Sequence, residues 1–383
     1  MTQKYTITAA YFLAFILLGL TIGVEGPALL TLAEHTSSTI GAISWTFFWG
    51  SLGYLFGSYF SGRLYDRLSG NRILALTLAI IAILIVFVPL ANTLTALVIV
   101  VTVLGIVKGS LDVGCNTLLL WLHNEKVSPF MNGLHAFFGI GAFIAPLIMA
   151  RVLAATGEIY WVYWSFAITA LPIALFTWTL PSPQPRAVPE HHQDAPFPIL
   201  PVAIMVTCFA VYVGMEVGYG NWIYAYAFKR GMGTEITANY LTSAFWGFFT
   251  LGRLLGIYIS TRLKPLSILL IDFIGCILSV GLILLFRDSV AILWVGTILL
   301  GLSLASIFPT LLSLAEERIH ITGTITGLFL VGGSLGSMAI PPGIGQAFER
   351  IGPNAMVWIV FASILLNLGF ILWFSRLRST ETG

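Results

Sequence analysis

The chain is 383 residues long, 58% hydrophobic and only 9% charged, with a mean hydropathy of +0.95 and a formal net charge of +2. A soluble protein carries about a quarter of its residues as charges, so this chain has too few to cover a water-facing surface, and lipid is the solvent that suits it. Basic segments interleaved with aromatics are absent, which argues against a nucleic-acid partner.

Hydropathy resolves into apolar runs long enough to cross roughly 30 Å of hydrocarbon at about 1.5 Å per residue. In chain order they cover residues 7–32, 40–61, 73–91, 94–121, 133–155 and 160–180, then 198–228, 238–261, 266–286, 290–314, 321–348 and 355–374. The first run is too long for the apolar core of a signal peptide. Long continuous runs favour helices over the alternating segments of a membrane barrel. The expected fold is therefore all-α and membrane-integral, with about twelve transmembrane helices in two six-helix bundles. The stretch Pro181 to Pro198, PSPQPRAVPEHHQDAPFP, is rich in proline and polar residues and reads as an exposed linker. It divides the chain into bundles at 1–180 and 199–383, joined by a cytoplasmic linker at 181–198. Of the 18 Lys and Arg residues, eleven fall in connections on the side of the first residue and five on the other side. That bias puts both termini in the cytoplasm. Cys115, Cys208 and Cys276 all lie within apolar runs and read as buried packing residues.

The halves echo each other. Leu52, Gly53, Gly57, Tyr59, Ser61, Arg63 and Leu64 recur 199 positions later as Leu251, Gly252, Gly256, Tyr258, Ser260, Arg262 and Leu263. Gly23-Val24-Glu25 in the first run is matched by Gly214-Met215-Glu216 in the seventh. Two echoes in corresponding runs, with a linker at the midpoint, indicate an internal repeat, and repeats with a solute site at their interface are a transporter feature.

The loop after the second run reads Gly62-Arg63-Leu64-Tyr65-Asp66-Arg67-Leu68-Ser69-Gly70-Asn71-Arg72. It resembles the G-x-L-x-D-R-x-G-x-R/K loop of the major facilitator superfamily, with one extra residue between Arg67 and Gly70. The resemblance implies gating contacts for Asp66, Arg67 and Arg72. The residues themselves also fit a plain positive-inside anchor. A narrower likeness covers Asp112-Val113-Gly114-Cys115-Asn116-Thr117 and Asn132-Gly133-Leu134-His135-Ala136-Phe137-Phe138-Gly139-Ile140-Gly141-Ala142. These segments are similar to the fourth and fifth spans of the fucose–glucose permease branch, which includes the sodium-dependent glucose transporter-like proteins. Bacterial fucose permeases of that branch use acidic residues in spans one and four for proton coupling. The resemblance thus implies coupling roles for Glu25 and Asp112.

An ionisable side chain at membrane depth costs at least about 2.5–3.5 kcal/mol, so it faces a cavity or a partner. Glu25, Lys108, Asp112, Glu216, Arg253 and Asp272 meet that description. Lys108 and Asp112 stand four apart on one helix face and could pair, leaving Asp112 either structural or a coupling group. Two carboxylates drawn together, such as Glu25 and Asp112, resist double ionisation and invite a proton. Glu216 precedes the polar, glycine-loosened stretch Gly218, Gly220, Asn221 and Trp222, which suits solute or cation contact. Arg253 has Glu216 or Asp272 as possible partners.

For solute contact the candidates are Asn116, Asn132, His135, Asn221, Trp222 and Trp246. Amides and carboxylates suit the hydroxyls of a sugar, and pyranose faces stack on aromatics. The competing readings are a packing histidine at His135 and interfacial anchoring for the tryptophans. Pro341-Pro342, with Gly343 and Gly345, is expected to interrupt the eleventh run, as a hinge or as a fixed kink.

These features point to cation-coupled symport of a hexose-like sugar, with H⁺ or Na⁺ as the coupling ion and no other cofactor. The alternative is a proton-driven exporter of drugs or metabolites on the same fold, which would want a more apolar cavity. An enzyme is disfavoured, since no P-loop, paired-histidine metal motif or nucleophile elbow occurs. The expected setting is the lipid bilayer of the cell membrane, with the chain acting as a monomer.

Overall fold

The structure, a computed structural model, describes residues 2–184 and 197–377, the side chains of Thr2, Asp66 and Glu125 excepted. Most of the expected linker, including Arg186, His191 and His192, lies outside the described residues. The described residues form fourteen α-helices and no strand.

The first half contains α1 (Thr2–Gly23), α2 (Glu25–His35), α3 (Ile40–Arg67), α4 (Gly70–Phe87), α5 (Leu94–His123), α6 (Ser128–Thr156) and α7 (Tyr160–Thr179). The second contains α8 (Ile199–Lys229), α9 (Glu235–Ser260), α10 (Pro265–Leu285), α11 (Val290–Leu304), α12 (Ile307–Glu316), α13 (Gly323–Ile351) and α14 (Asn354–Arg376). Two pairs each make one crossing, α1 with α2 and α11 with α12, so fourteen helices give the expected twelve passes. Among the described residues, ten spans are apolar and long enough to cross a membrane by length and composition. The remaining two passes, α3 and α9, run to 28 and 26 residues and carry more polar and aromatic side chains.

The two interruptions have one cause. Pro27 lacks the N–H that would bond back to the Gly23 carbonyl, and Pro309 lacks the one that would bond to Ala305. In the first pass Val24 keeps a right-handed helical conformation, and Val24 N–H→Leu20 and Ala28 N–H→Val24 bonds carry the ladder through. In the tenth, Ala305 and Ser306 are likewise right-handed helical in conformation. The expected interruption at Pro341-Pro342 is corrected: α13 runs unbroken from Gly323 to Ile351 with both prolines inside it.

By contacts the chain divides into two compact units, Met1–Val188 with Glu235–Ser243, and Pro189–Thr234 with Ala244–Gly383. Inside the first unit α3 lies along α5, α1 along α6 and α4 along α7. Inside the second, α8 lies along α13 and α14, and α10 along α11 and α14. Lipid offers helices no hydrophobic incentive to associate, so small residues that allow close backbone approach decide the pairings. Gly53 and Gly57 of α3 and Gly105 and Gly109 of α5 interlock so tightly that a methyl group at any of them would meet a backbone oxygen of the other helix. Large apolar side chains such as Ile168, Leu175, Ile271 and Leu285 stand exposed, as a lipid-facing surface requires.

Both sequence echoes take equivalent positions in the packing. Gly23 abuts Ala142 on α6, the fifth pass of its half, and Gly214 abuts Gly336 on α13, the fifth pass of the other. Gly53 and Gly57 meet the fourth pass at Thr102 and Ile106, while Gly252 and Gly256 meet the fourth pass of their half at Leu302 and Ser306.

Candidate transport site

Within the first unit the buried charges are not arranged as helix periodicity alone suggests. Lys108 does not pair with Asp112. Its Nζ lies 2.5 Å from Oε1 of Glu25, with the lysine side chain 7% exposed and the glutamate 35%. Glu25 is the first residue of α2 and so sits at the positive end of that helix, just past the proline interruption. Glu25 therefore has a cation for its partner.

Asp112 has none. Its carboxylate accepts from the Tyr54 hydroxyl at 2.6 Å and from Asn116 Nδ2 at 2.9 Å. Asn116 also donates to the Asp112 main-chain carbonyl at 3.0 Å, which locks the amide one helical turn below the acid. Tyr54 sits on α3 between Gly53 and Gly57, and the close α3–α5 approach is what brings its hydroxyl to Asp112. Tyr54 escaped the sequence reading. The signal was present, since the 199-residue offset that aligns the two glycine pairs also aligns Tyr54 with Arg253.

In the second unit Glu216 on α8 faces the Arg253 guanidinium and the Tyr212 hydroxyl. Arg253 also stacks over Phe249, 4.6 Å from the ring centre. Of the two acids open to it in sequence, Arg253 thus keeps company with Glu216. Asp272 instead accepts a 2.6 Å hydrogen bond from Ser306 Oγ.

The remaining candidates divide. Asn132 and His135 are exposed on α6, His135 with its ring edge-on to Phe15 of α1. Asn221, Trp222 and Trp246 are buried, at 2%, 0% and 3% exposure. Trp222 donates its indole N–H to the Pro341 carbonyl at 2.9 Å and packs on Phe348, and Trp246 packs on Phe245 and Phe249. In this conformation both tryptophans pack within the second unit. The Asn221 side-chain nitrogen is buried without a hydrogen-bond partner among the described residues.

At the loop after α3, the Asp66 side chain lies outside the described residues. Arg67 is exposed, and Arg72 lies over the Trp178 ring, 6.0 Å from its centre. Neither arginine forms an ion pair among the described residues. The polar anchor here is Asn71, which the sequence reading did not single out. It accepts from the Tyr11 hydroxyl at 2.7 Å, donates to the Pro181 carbonyl at 2.8 Å, and its main-chain N–H reaches Ser182 Oγ at 2.9 Å.

Twelve passes in two related halves, with acids held inside the helices by hydroxyl, amide and cationic partners, define a solute carrier of the repeat-built kind. The profile of the Major Facilitator Superfamily matches residues 11–341, and the chain belongs to that family. Among its relatives, the sodium-dependent glucose transporter 1 of Xenopus laevis is 32% identical, over 92% of this chain and 78% of that protein. The sodium-dependent glucose transporter 1A of Mus musculus is 29% identical, over 87% of this chain and 88% of its own length. A solved structure of a D-xylose–proton symporter superposes with a TM-score of 0.79 at 12% identity, covering 97% of this chain and 98% of that one. At that identity the likeness speaks for the fold alone.

Proposed function

We propose that the protein is a secondary active transporter that couples a sodium ion to a hexose-like sugar and carries both by alternating access. The observation that carries this reading is Asp112, an acid inside a transmembrane helix held only by neutral donors, Tyr54 and Asn116. A carboxylate at that depth without a cation of its own is costly to keep ionised, and a mobile cation supplies the missing charge. Glu25, already satisfied by Lys108, serves to hold α2 against α5. Glu216, faced by Arg253, is the corresponding group of the second half. Sodium is preferred to the proton because the similar proteins of Xenopus laevis and Mus musculus are named as sodium-dependent and as glucose transporters. The exposed amide of Asn132 and the carbonyl oxygen of Asn116 suit hydroxyl-rich, uncharged cargo. Both termini are assigned to the cytoplasm of the cell membrane on the distribution of Lys and Arg.

Radiolabelled glucose uptake into proteoliposomes, with sodium and proton gradients imposed separately, tests the reading. Accumulation is expected with inward sodium and not with a proton gradient alone. Uptake driven only by protons overturns the choice of ion. No hexose uptake under either gradient, with lipophilic cations quenching tryptophan fluorescence, replaces the symporter with the exporter.

A further inference from the structure

The second unit holds an acid that this transport scheme does not use. Asp272 lies on α10 with 9% exposure, and its only hydrogen bond among the described residues comes from Ser306 Oγ at 2.6 Å. It has no ion pair among the described residues, because Arg253 is turned to Glu216.

Its surroundings are unusual for a transmembrane helix. Ser306 stands in the interruption between α11 and α12, where Pro309 deprives the Ala305 carbonyl of its ordinary donor. Here α11 ends, and of its last carbonyls that of Leu304 already accepts from the Tyr212 hydroxyl at 3.0 Å, which leaves that of Ala305. Three residues earlier, Ser303 is also 9% exposed and makes no hydrogen bond among the described residues. Its hydroxyl lies directly against Gly275, close enough that a methyl group there would strike it. The antiparallel helices match residue for residue: Asp272 opposes Ser306, and Gly275 opposes Ser303. A carboxylate and two serine hydroxyls thus converge on one stretch of the α10–α11 contact, next in sequence to the carbonyl that Pro309 releases. All are oxygen, the donor type that small hard cations require. Interrupted helices whose terminal carbonyls face a carboxylate are how membrane carriers bind sodium within hydrocarbon.

We infer that Asp272, Ser303 and Ser306, with the Ala305 carbonyl, form a sodium site contained wholly in the second unit and separate from Asp112. The ion supplies the positive charge that Asp272 lacks and the partner that the Ser303 hydroxyl lacks. It also ties α10 to the interrupted tenth pass, so that this pass is stiff when sodium is bound and loose when it is not.

The test is equilibrium binding of radioactive sodium to the purified full-length protein in detergent, which needs no transport activity. Asp272→Asn is expected to lower sodium affinity at this site by at least about tenfold. Ser303→Ala is expected to weaken it several-fold while leaving the acid in place. Asp288→Asn, which removes a carboxylate exposed at 93%, is expected to bind as the unaltered protein does. Circular dichroism establishes that each variant is folded, and Ser303→Ala carries the test if Asp272→Asn is not. Unchanged sodium affinity in folded Asp272→Asn, or in folded Ser303→Ala, overturns the site. So does the absence of sodium binding by the unaltered protein, an outcome that leaves proton-driven sugar uptake open as a separate result.

Discussion

The two halves have the same plan and balance their acids differently. In the first, the cation that answers the repeat's glutamate comes from the fourth pass, as Lys108, and the position between the second-pass glycines is the neutral Tyr54. In the second, the cation comes from between those glycines, as Arg253, and the position two residues beyond the close contact with the fourth pass is Phe308, which packs on Phe209. The glutamate is kept and its counter-charge has moved from one helix to another. The move leaves Asp112 with only neutral donors in the first half. A duplicated scaffold can therefore hold its packing constant while assigning charge compensation separately in each copy.

The sharpest way to break this comparison is Asp112→Asn. Gradient-driven sugar accumulation in proteoliposomes is expected to fall to background, while exchange between equal concentrations persists. Normal accumulation removes Asp112 from coupling. Lys108→Ala comes next, since it strands Glu25, which at 35% exposure is partly solvated: a loss of about 1–3 kcal/mol is expected in detergent unfolding, and Glu25→Ala in the same chain should recover much of it. If the double variant is no better than the single one, the pair is not the reason Lys108 matters.

The glycine contacts distinguish the halves as well. Gly57→Ala drives a methyl into the Ile106 backbone and is expected to cost about 1–3 kcal/mol. Its counterpart Gly256→Ala meets only the Ser306 side chain at 3.3 Å and should be nearly neutral by the same unfolding measurement. Tyr54→Phe deletes a bond to a carboxylate while preserving the ring, and a loss of about 1.5–3 kcal/mol is expected on the same scale. Arg230→Ala, like Gly256→Ala, is expected to do little. Its ion pair with Asp288 is 2.6 Å long but lies on an aspartate exposed at 93%, so a change of about 0–1 kcal/mol is expected.

The passes were legible in sequence because their hydrophobic length is a one-dimensional property, and the helices begin and end within a few residues of the expected bounds. The repeat was legible because close helix approach demands glycine, and glycine leaves a readable spacing. The partners of the charged groups were not. Lys108 lies four residues from Asp112 along one helix, yet it reaches a residue 83 positions away on another. The burial of Trp222 and Trp246 is not legible either, because lipid-facing and core-facing positions are both apolar and leave no polar stripe to read. Pro27 and Pro309 break their helices while the conspicuous Pro341-Pro342 does not. The outcome depended on whether the helix stayed continuous around each proline, which composition does not reveal.

The Glu25–Lys108 pair has a consequence for how the chain is made. Ribosomes deliver Glu25 into the membrane before its lysine exists, and 83 residues must follow before the two can meet. At about 5–20 residues per second that is roughly 4–17 s during which the first pass carries an uncompensated acid. Over that interval the apolar residues of the first pass must offset the cost of a free acid, about 2.5–3.5 kcal/mol, which Lys108 relieves once the fourth pass enters.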